Sequence, residues 1–564
     1  MRVIFTPTRT HLGMGMRRLI PLVLLFAAIG CGLLAVACTP PNESTAPQSN
    51  AANGPQAAPD ANQPAPAPQP EPLAIRAESL PAGITGEAYT ASIGLSRGAT
   101  CEIASGGLPP GLTLDTTGQI KGVARVTGDY PVMVLATDGK DFVAAALTLT
   151  VTAASGDPVL EKELRGVVAT KRIRGLTSAN VPKLNPAQVE LGRLLFFDKE
   201  LSGTRDVACA TCHHPAFGYT DGLSLSVGVG GDKLGPGRKH PDGVLIARNS
   251  PPIYYSGLMP TMFWDRRVRR VRQGATRRSV TPEGVMDLAP DEAQALFPLV
   301  DTWEMRGQGH DLDGLDEKEY RNALLERLKK FPEYVEGFKS AFGEGGMTVE
   351  NLGRAIAAFE RSHTYVNAPW DRYLAGDDNA LTDQQKRGAN LFFGRAGCDN
   401  CHSGPLLTDF GIRNILVPQF GPGRGLGEER GEDFGAEDDL NNENARYTFR
   451  TPTLRNVTLT APYMHNGAFN TLRETVLHYR DKAGSTLAFN IKQLAQAPDL
   501  SKPVTLSGDF FRRQDFQMLL VPDDLMDEEV DDIVAFLETL TDPQAVNRRQ
   551  DVPKAVPSGL PVDK

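Results

Sequence analysis

Two short segments of this chain, Cys209-Ala-Thr-Cys212-His213 and Cys398-Asp-Asn-Cys401-His402, repeat a single pattern: two thiols three positions apart, then a histidine. That spacing meets one chemical demand. Two thioethers must reach the two vinyl positions of one porphyrin while the next imidazole turns onto its iron. All four cysteines that follow Cys101 are consumed by the two copies. A redox Cys pair would want a βαβ setting, and a zinc site would want four ligands in one place. Each copy instead follows a similar lead-in, Leu191-Gly-Arg-Leu-Leu-Phe-Phe and Gly388-Ala-Asn-Leu-Phe-Phe-Gly. The repeat predicts two related cytochrome c modules with two covalently bound c-type haems, held by Cys209, Cys212, Cys398 and Cys401 and ligated through His213 and His402.

Length and composition agree with a multidomain, water-soluble protein: 564 residues, 41% apolar and 23% charged. The net charge of −9 carries no nucleic-acid signature. Near the amino terminus, Arg17 and Arg18 precede an apolar run that ends in Ala35-Val36-Ala37-Cys38. This reads as an export signal with a lipobox over residues 1–38, Cys38 being the lipidated thiol and Cys31 the weaker alternative. An uncleaved membrane helix is the competing reading, since the run is just long enough to span a bilayer. Export suits the haems, and a lipid anchor would hold the chain to a bacterial membrane, facing the periplasm. Thr39 rather than Asp after the cysteine favours the outer membrane.

Composition then changes in steps. Residues 39–72 are Pro, Ala, Asn and Gln with almost nothing large and apolar, which predicts a disordered tether. Residues 73–153 carry short β-branched runs between Gly and Asp-Gly turns, which predicts a small β-sandwich. Leu108-Pro-Pro-Gly-Leu-Thr-Leu-Asp, Gly118-Gln-Ile-Lys-Gly and Gly128-Asp-Tyr-Pro-Val in that stretch resemble bacterial immunoglobulin-like domains, which act as spacers or adhesive modules; its lone Cys101 reads as a buried thiol. A linker follows over 154–180. Helical periodicity over Pro186–Phe197, Glu317–Phe342, Val349–His363, Thr382–Phe393 and Asp527–Leu540 then places an N-terminal module at 181–375 and a C-terminal module at 376–545. A disordered tail is expected over 546–564.

From Leu191 to about Leu540 the chain resembles the bacterial di-haem cytochrome c peroxidases and their MauG relatives. The residues that carry the resemblance are Leu-Phe-Phe-Asp198, Arg248-Asn-Ser-Pro, Phe263-Trp-Asp, Ala293-Gln-Ala with Pro298 and Glu304-Met, Thr451-Pro-Thr-Leu-Arg-Asn, and Thr460-Ala-Pro-Tyr-Met-His-Asn-Gly. It implies that hydrogen peroxide reacts at the first haem, with Gln294 and Glu304 as the distal polar residues and Trp264 between the haems. Splitting the O–O bond requires a proton moved from inner to outer oxygen, a task for a carboxylate.

Many members place a blocking histidine sixteen residues past the first haem-binding histidine. This chain has Val229 there, so its first haem is expected to be open to peroxide, His240 being a conceivable substitute ligand and His214 the other nearby histidine. At the second haem, Tyr479 stands where the peroxidases place methionine, as in MauG, and Met464 reads as a packing residue. A harder oxygen ligand favours ferric and higher states. The resemblance also implies one calcium ion held by Asn249, Thr460 and Pro462. Seven arginines fall between Arg266 and Arg278, read as a solvated loop, partners of haem propionates or a docking patch for an acidic protein; Gly421 to Asn444 reads as a surface loop. The implied partner is a redox protein or a protein substrate, and the expected activity is MauG-like oxidation of a partner residue. Detoxification of peroxide with electrons from a small redox protein is the alternative, and a non-enzymatic di-haem electron carrier is a third.

Overall fold

The computed structural model describes residues 72–564, apart from 155, 243, 274–275, 280–281, 283–284, 286, 425–430, 497–498, 501–503 and 516–521. The signal, the lipobox and nearly all of the tether lie outside the described residues.

Residues 83–152 form a β-sandwich, as the alternation of apolar and polar residues expects. One sheet has the order β1 (Gly83–Ile84), β7 (Phe142–Thr152), β6 (Gly128–Thr137), β3 (Thr100–Gly106); the other has β2 (Ala88–Ser92), β5 (Gln119–Val123), β4 (Leu112–Leu114). β6 and β7 pair antiparallel from Gly128 opposite Val151 to Thr137 opposite Phe142, joined through the Asp138-Gly139 turn, where Gly139 takes φ +87°. Ile93, Ala124, Val134 and Leu149 are fully enclosed between the sheets, and the Cys101 thiol is buried beside them.

The remaining chain is mainly helical and built twice over. In the first half the helix Pro186–Phe197 crosses Val349–Arg361; in the second, Asp383–Phe392 crosses Asp527–Glu538. The lead-in repeat explains both crossings. A Cβ on Gly192 would stand 1.8 Å from the Ala355 carbonyl oxygen, and one on Gly388 would stand 1.8 Å from that of Asp532. Only glycine lets the helices approach this closely. The aromatic pair that follows then packs on one phenylalanine of the partner helix: Phe196 on Phe359 at 5.1 Å, Phe392 on Phe536 at 5.0 Å. We expect Gly388→Ala to destabilise the holoprotein by about 1–3 kcal/mol, the usual cost of overpacking. An unchanged melting temperature would disprove the close crossing.

Four expectations need correction. The predicted helix over 317–342 breaks into Glu317–Leu328 and Pro332–Phe342, because Pro332 has no N–H to continue the ladder. The 154–180 segment is not a bare linker: it holds the helix Pro158–Lys171, whose Leu164 is fully buried in the core of the C-terminal module and whose Glu161 pairs with Lys386 at 2.7 Å. Trp370 and Tyr373, placed before the 375/376 boundary, are buried in that same core. The 546–564 segment is not a disordered tail. Val556 is buried in the first module's core, Ser558 bonds Asp198, and Asp563 bonds Thr211 at 2.7 Å and Lys199 at 2.6 Å. Its few apolar residues are spaced too irregularly to register as an element, yet Val552, Val556 and Val562 pack against the module's core.

The sandwich docks directly onto these helices. Thr127 donates to the Ala380 carbonyl and accepts from Arg372, Gln385 donates to the Arg125 carbonyl at 2.9 Å, and Gly106 N–H donates to the Asn547 carbonyl at 3.0 Å.

Candidate active site: two cavities and the tryptophan between them

Each Cys-x-x-Cys-His segment sits on a single helical turn, so both thiols and the following imidazole face one cavity. The first cavity, about 1250 Å³, is lined by Cys209, Cys212 and His213. A second, narrower one is lined by Cys398, Cys401 and His402. Both histidines are oriented the same way. His402 Nδ1–H donates to the Leu407 carbonyl at 3.0 Å; His213 Nδ1–H is shared between the Tyr219 carbonyl at 3.3 Å and Ser250 Oγ at 3.0 Å. These bonds set the tautomer and leave Nε2 with its lone pair, as an iron ligand requires. Burial also holds both rings neutral, with pKa values pushed down to about 4.

The linings contain what a haem lacks in protein partners. Arg450 is 5% exposed, lines both cavities, and places Nη1 in the interior with no hydrogen-bond partner among the described residues. A buried guanidinium nitrogen without a hydrogen-bond partner is costly, and burial together with Arg266 draws the pKa of Arg450 down to about 10 against the pull of Asp265. A haem propionate would supply that nitrogen with a carboxylate partner. Arg267 also lines the first cavity, over the Phe263 ring at 3.5 Å. The described residues thus fit the group that the spacing implied. Arg267 belongs to the arginine-rich stretch, which continues into a hairpin of β9 (Val268–Gln273) and β10 (Thr276–Ser279), β9 pairing with β8 (Thr261–Met262).

The two predicted polar residues line the same cavity as the first motif. Gln294 ends the short helix Pro290–Gln294, and Glu304 sits in a widened turn over Thr302–Arg306. The turn is held in place by Asp301, whose carboxylate accepts from the Trp303 and Glu304 N–H groups at 2.9 and 3.0 Å. Burial pushes the Glu304 carboxyl up to about 7, with Asp301 adding to the rise and Arg267, Arg424 and Arg248 opposing it. Val229 N–H donates to the Trp303 carbonyl, pinning the turn that would carry a blocking histidine. His213 is the only histidine lining this cavity among the described residues. His240 instead packs against Gly230 and accepts from the Asp242 N–H, while His214 is buried with Nδ1 accepting from the Ala216 N–H.

Trp264 lines both cavities, its Nε1–H donating to the Asn249 carbonyl at 3.0 Å. At the second cavity Tyr479, near the end of the helix Leu472–Arg480, lines the wall together with Met464, and burial raises its phenol. Met464 also packs against a cluster around Phe420 and Phe469. Asn249, Thr460 and Pro462 share a wall of this cavity; no cluster of three or more His, Cys, Asp or Glu accompanies them among the described residues.

Two cavity residues went unnoticed in the sequence. Arg450 offers no signal beyond standing next to Thr451-Pro-Thr-Leu-Arg. Glu360 is 5% exposed, lines the first cavity and is pushed up to about 8 by burial and Asp291; helical periodicity marks its position as core-facing, which a charged residue there contradicts. The 421–444 stretch is more than a surface loop: its buried Asp433 pairs with Arg248 at 2.7 Å, and Arg248 also pairs with Asp265. A cation this buried needs anions on both sides, and the loop brings one.

Comparison with known proteins agrees with this geometry. The profile for di-haem cytochrome c peroxidases matches residues 186–379, and that for immunoglobulin domains matches residues 40–154. A cytochrome-c peroxidase of Pseudomonas sp. (strain SCT) is 31% identical over 386 residues, covering 64% of this chain and 83% of the relative. The methylamine utilization protein MauG of Methylorubrum extorquens is 32% identical over 384 residues, 67% of this chain and 86% of that one. The solved diheme peroxidase BthA of Burkholderia thailandensis aligns over 64% of this chain and 88% of its own at 24% identity and a TM-score of 0.49. The family profile and the cytochrome-c peroxidase relative set aside a plain electron carrier. With an immunoglobulin-like domain in front of it, the catalytic part of this chain belongs to the di-haem cytochrome c peroxidase and MauG family, carries two c-type haems, and is an oxidoreductase acting on hydrogen peroxide.

Proposed function

We propose that this chain is a MauG-like peroxidase that accepts peroxide at the His213 haem in its resting ferric state and shares the oxidising equivalents with the His402 haem for use on a partner protein. The observation that carries the reading is the joint lining of one cavity by His213, Gln294 and Glu304, with Trp264 lining that cavity and the next. When bound, each haem supplies a redox-active iron.

The chain's own residues do the rest. Glu304 takes the proton from the inner peroxide oxygen and returns it to the outer one, so that water leaves; a carboxyl held near pH 7 does both steps at similar cost. Gln294 orients the peroxide by hydrogen bonding. Trp264 bridges the two cavities as an aromatic relay. Tyr479 supplies an oxygen ligand to the second haem, which favours its oxidised states. Asn249, with the carbonyls of Thr460 and Pro462, binds one calcium that ties the modules together. The chain is exported, anchored through Cys38 and held facing the periplasm.

The reading is tested by mixing ferric protein, never reduced, with one equivalent of peroxide and following the haem optical bands and the mass of candidate partner proteins. Immediate spectral change and a covalent mass change on a partner support it. Two haems inert until reduced, or turnover only with a small reduced cytochrome, return the chain to the detoxifying peroxidases.

A further inference from the structure

Behind the first haem motif lies a buried cluster that the peroxide chemistry above does not use. Tyr219, fully enclosed, accepts the His213 Nδ1–H on its carbonyl, and its phenol extends away from the cavity. That phenol donates to Asp551 Oδ2 at 2.7 Å and lies 3.0 Å from His363 Nε2; the other ring nitrogen of His363 lies 3.0 Å from the Tyr365 hydroxyl. Asp551 is clamped by Arg548 through two bonds of 2.9 Å.

The donor directions follow from this set. The Tyr219 hydrogen is committed to a carboxylate, which can only accept. His363 Nε2 must therefore carry the hydrogen it gives to the Tyr219 oxygen, and Nδ1 accepts from Tyr365. The His363 ring stacks obliquely on Tyr219 at 4.4 Å, and Tyr254 packs edge-on at 5.7 Å. His363 is 2% exposed and Tyr254 fully buried, so water does not reach the phenol easily.

A phenol is hard to oxidise where its proton has nowhere to go, because the radical cation is a strong acid. Here a proton acceptor stands at hydrogen-bond distance, and a second donor remains to bind the radical oxygen. We propose that Tyr219 is a proton-coupled redox site that gives one electron to the peroxide-oxidised first-haem centre and holds the equivalent as a neutral tyrosyl radical. The O–H bond breaks and an Oδ2–H bond forms on Asp551; the electron goes to the first haem, and hydrogen peroxide is the terminal oxidant. An external one-electron reductant later restores the phenol, with the same proton returning from Asp551. His363 keeps its Nε2–H throughout and donates it to the phenoxyl oxygen. The electron leaves while the proton stays, so the cluster's charge rises by one: Asp551 becomes a neutral carboxyl beside the Arg548 guanidinium. The site would store an equivalent on the proximal side of the first haem when no partner is docked.

The proposal rests on the reading that peroxide reacts at the first haem, and the test separates the two. Ferric holoprotein is mixed with hydrogen peroxide and frozen at increasing times, with optical spectra and EPR taken on the same samples for the wild type, Tyr219→Phe, Asp551→Asn, and wild type grown on ring-deuterated tyrosine. We expect the optical change in every sample, an organic radical in the wild type whose line shape narrows with deuterated tyrosine, loss of that signal in Tyr219→Phe, and a diminished yield in Asp551→Asn, which keeps the phenol and the shape of the cluster. An optical change without a tyrosyl signal, or a signal unaltered in Tyr219→Phe, overturns the proposal while leaving the peroxide reading intact. No optical change in the wild type overturns both.

Discussion

Replacing Glu304 with Gln lowers the rate at which ferric protein reacts with peroxide by about 10²–10⁴-fold, the usual contribution of a positioned proton-transfer group. The amide keeps the volume and the hydrogen-bonding reach of the side chain but cannot carry a proton from one oxygen to the other. Gln294→Ala removes only an orienting contact and is expected to cost less. The pH dependence separates a proton carrier from a packing residue. Burial and Asp301 raise the Glu304 carboxyl to about 7, so the carboxylate that must accept the first proton is scarce below that pH and predominant above it. The wild-type rate should therefore climb through about pH 7 and level off, whereas Glu304→Gln should be low and flat. Stopped-flow mixing across that range is the measurement. A variant that keeps the wild-type rate and its pH profile would remove Glu304 from the chemistry.

The second large effect is expected at Tyr479. Its phenol and the Met464 thioether line the same cavity as His402, so both are within the second haem's surroundings, and the two ligands predict opposite properties. With tyrosine bound, Tyr479→Phe removes the ligand: the EPR signature of the second haem changes, its potential rises by on the order of 0.1 V within the roughly 0.8 V that axial ligands command, and the peroxide-derived equivalents decay faster. Met464→Leu then leaves spectrum and potential alone. The reverse pattern, a silent Tyr479→Phe with a large effect of Met464→Leu, would identify methionine as the ligand and favour a simple electron-accepting role. Potentiometric titration with EPR on both variants decides between them.

Much of this site could be read from the chain because covalent haem attachment is a local requirement. Thiols at i and i+3 with an imidazole at i+4 must share one helical turn, and the turn is visible in the letters. The glycine-aromatic lead-ins were legible for a related reason: one missing Cβ and two rings in a row are all that the helix crossing at Gly388 and Asp532 demands on its own side. The β-sandwich announced itself through alternation and Asp-Gly turns, which act between neighbours in sequence.

What escaped notice depends on distant partners. Arg450 looks ordinary until Nη1 is found without an anion between two cavities. Asp551 lies 332 residues from the phenol it receives a hydrogen from, in a segment whose composition suggested disorder. The helix Pro158–Lys171 precedes the first module in sequence but is buried with the second. Sequence alone thus determined the cofactor type and the number of modules, because covalent attachment is set by bonding geometry within a few residues. The tertiary structure alone decided which charges are buried and which distant segments pack against the first module, because burial and partner choice follow from how distant segments pack together.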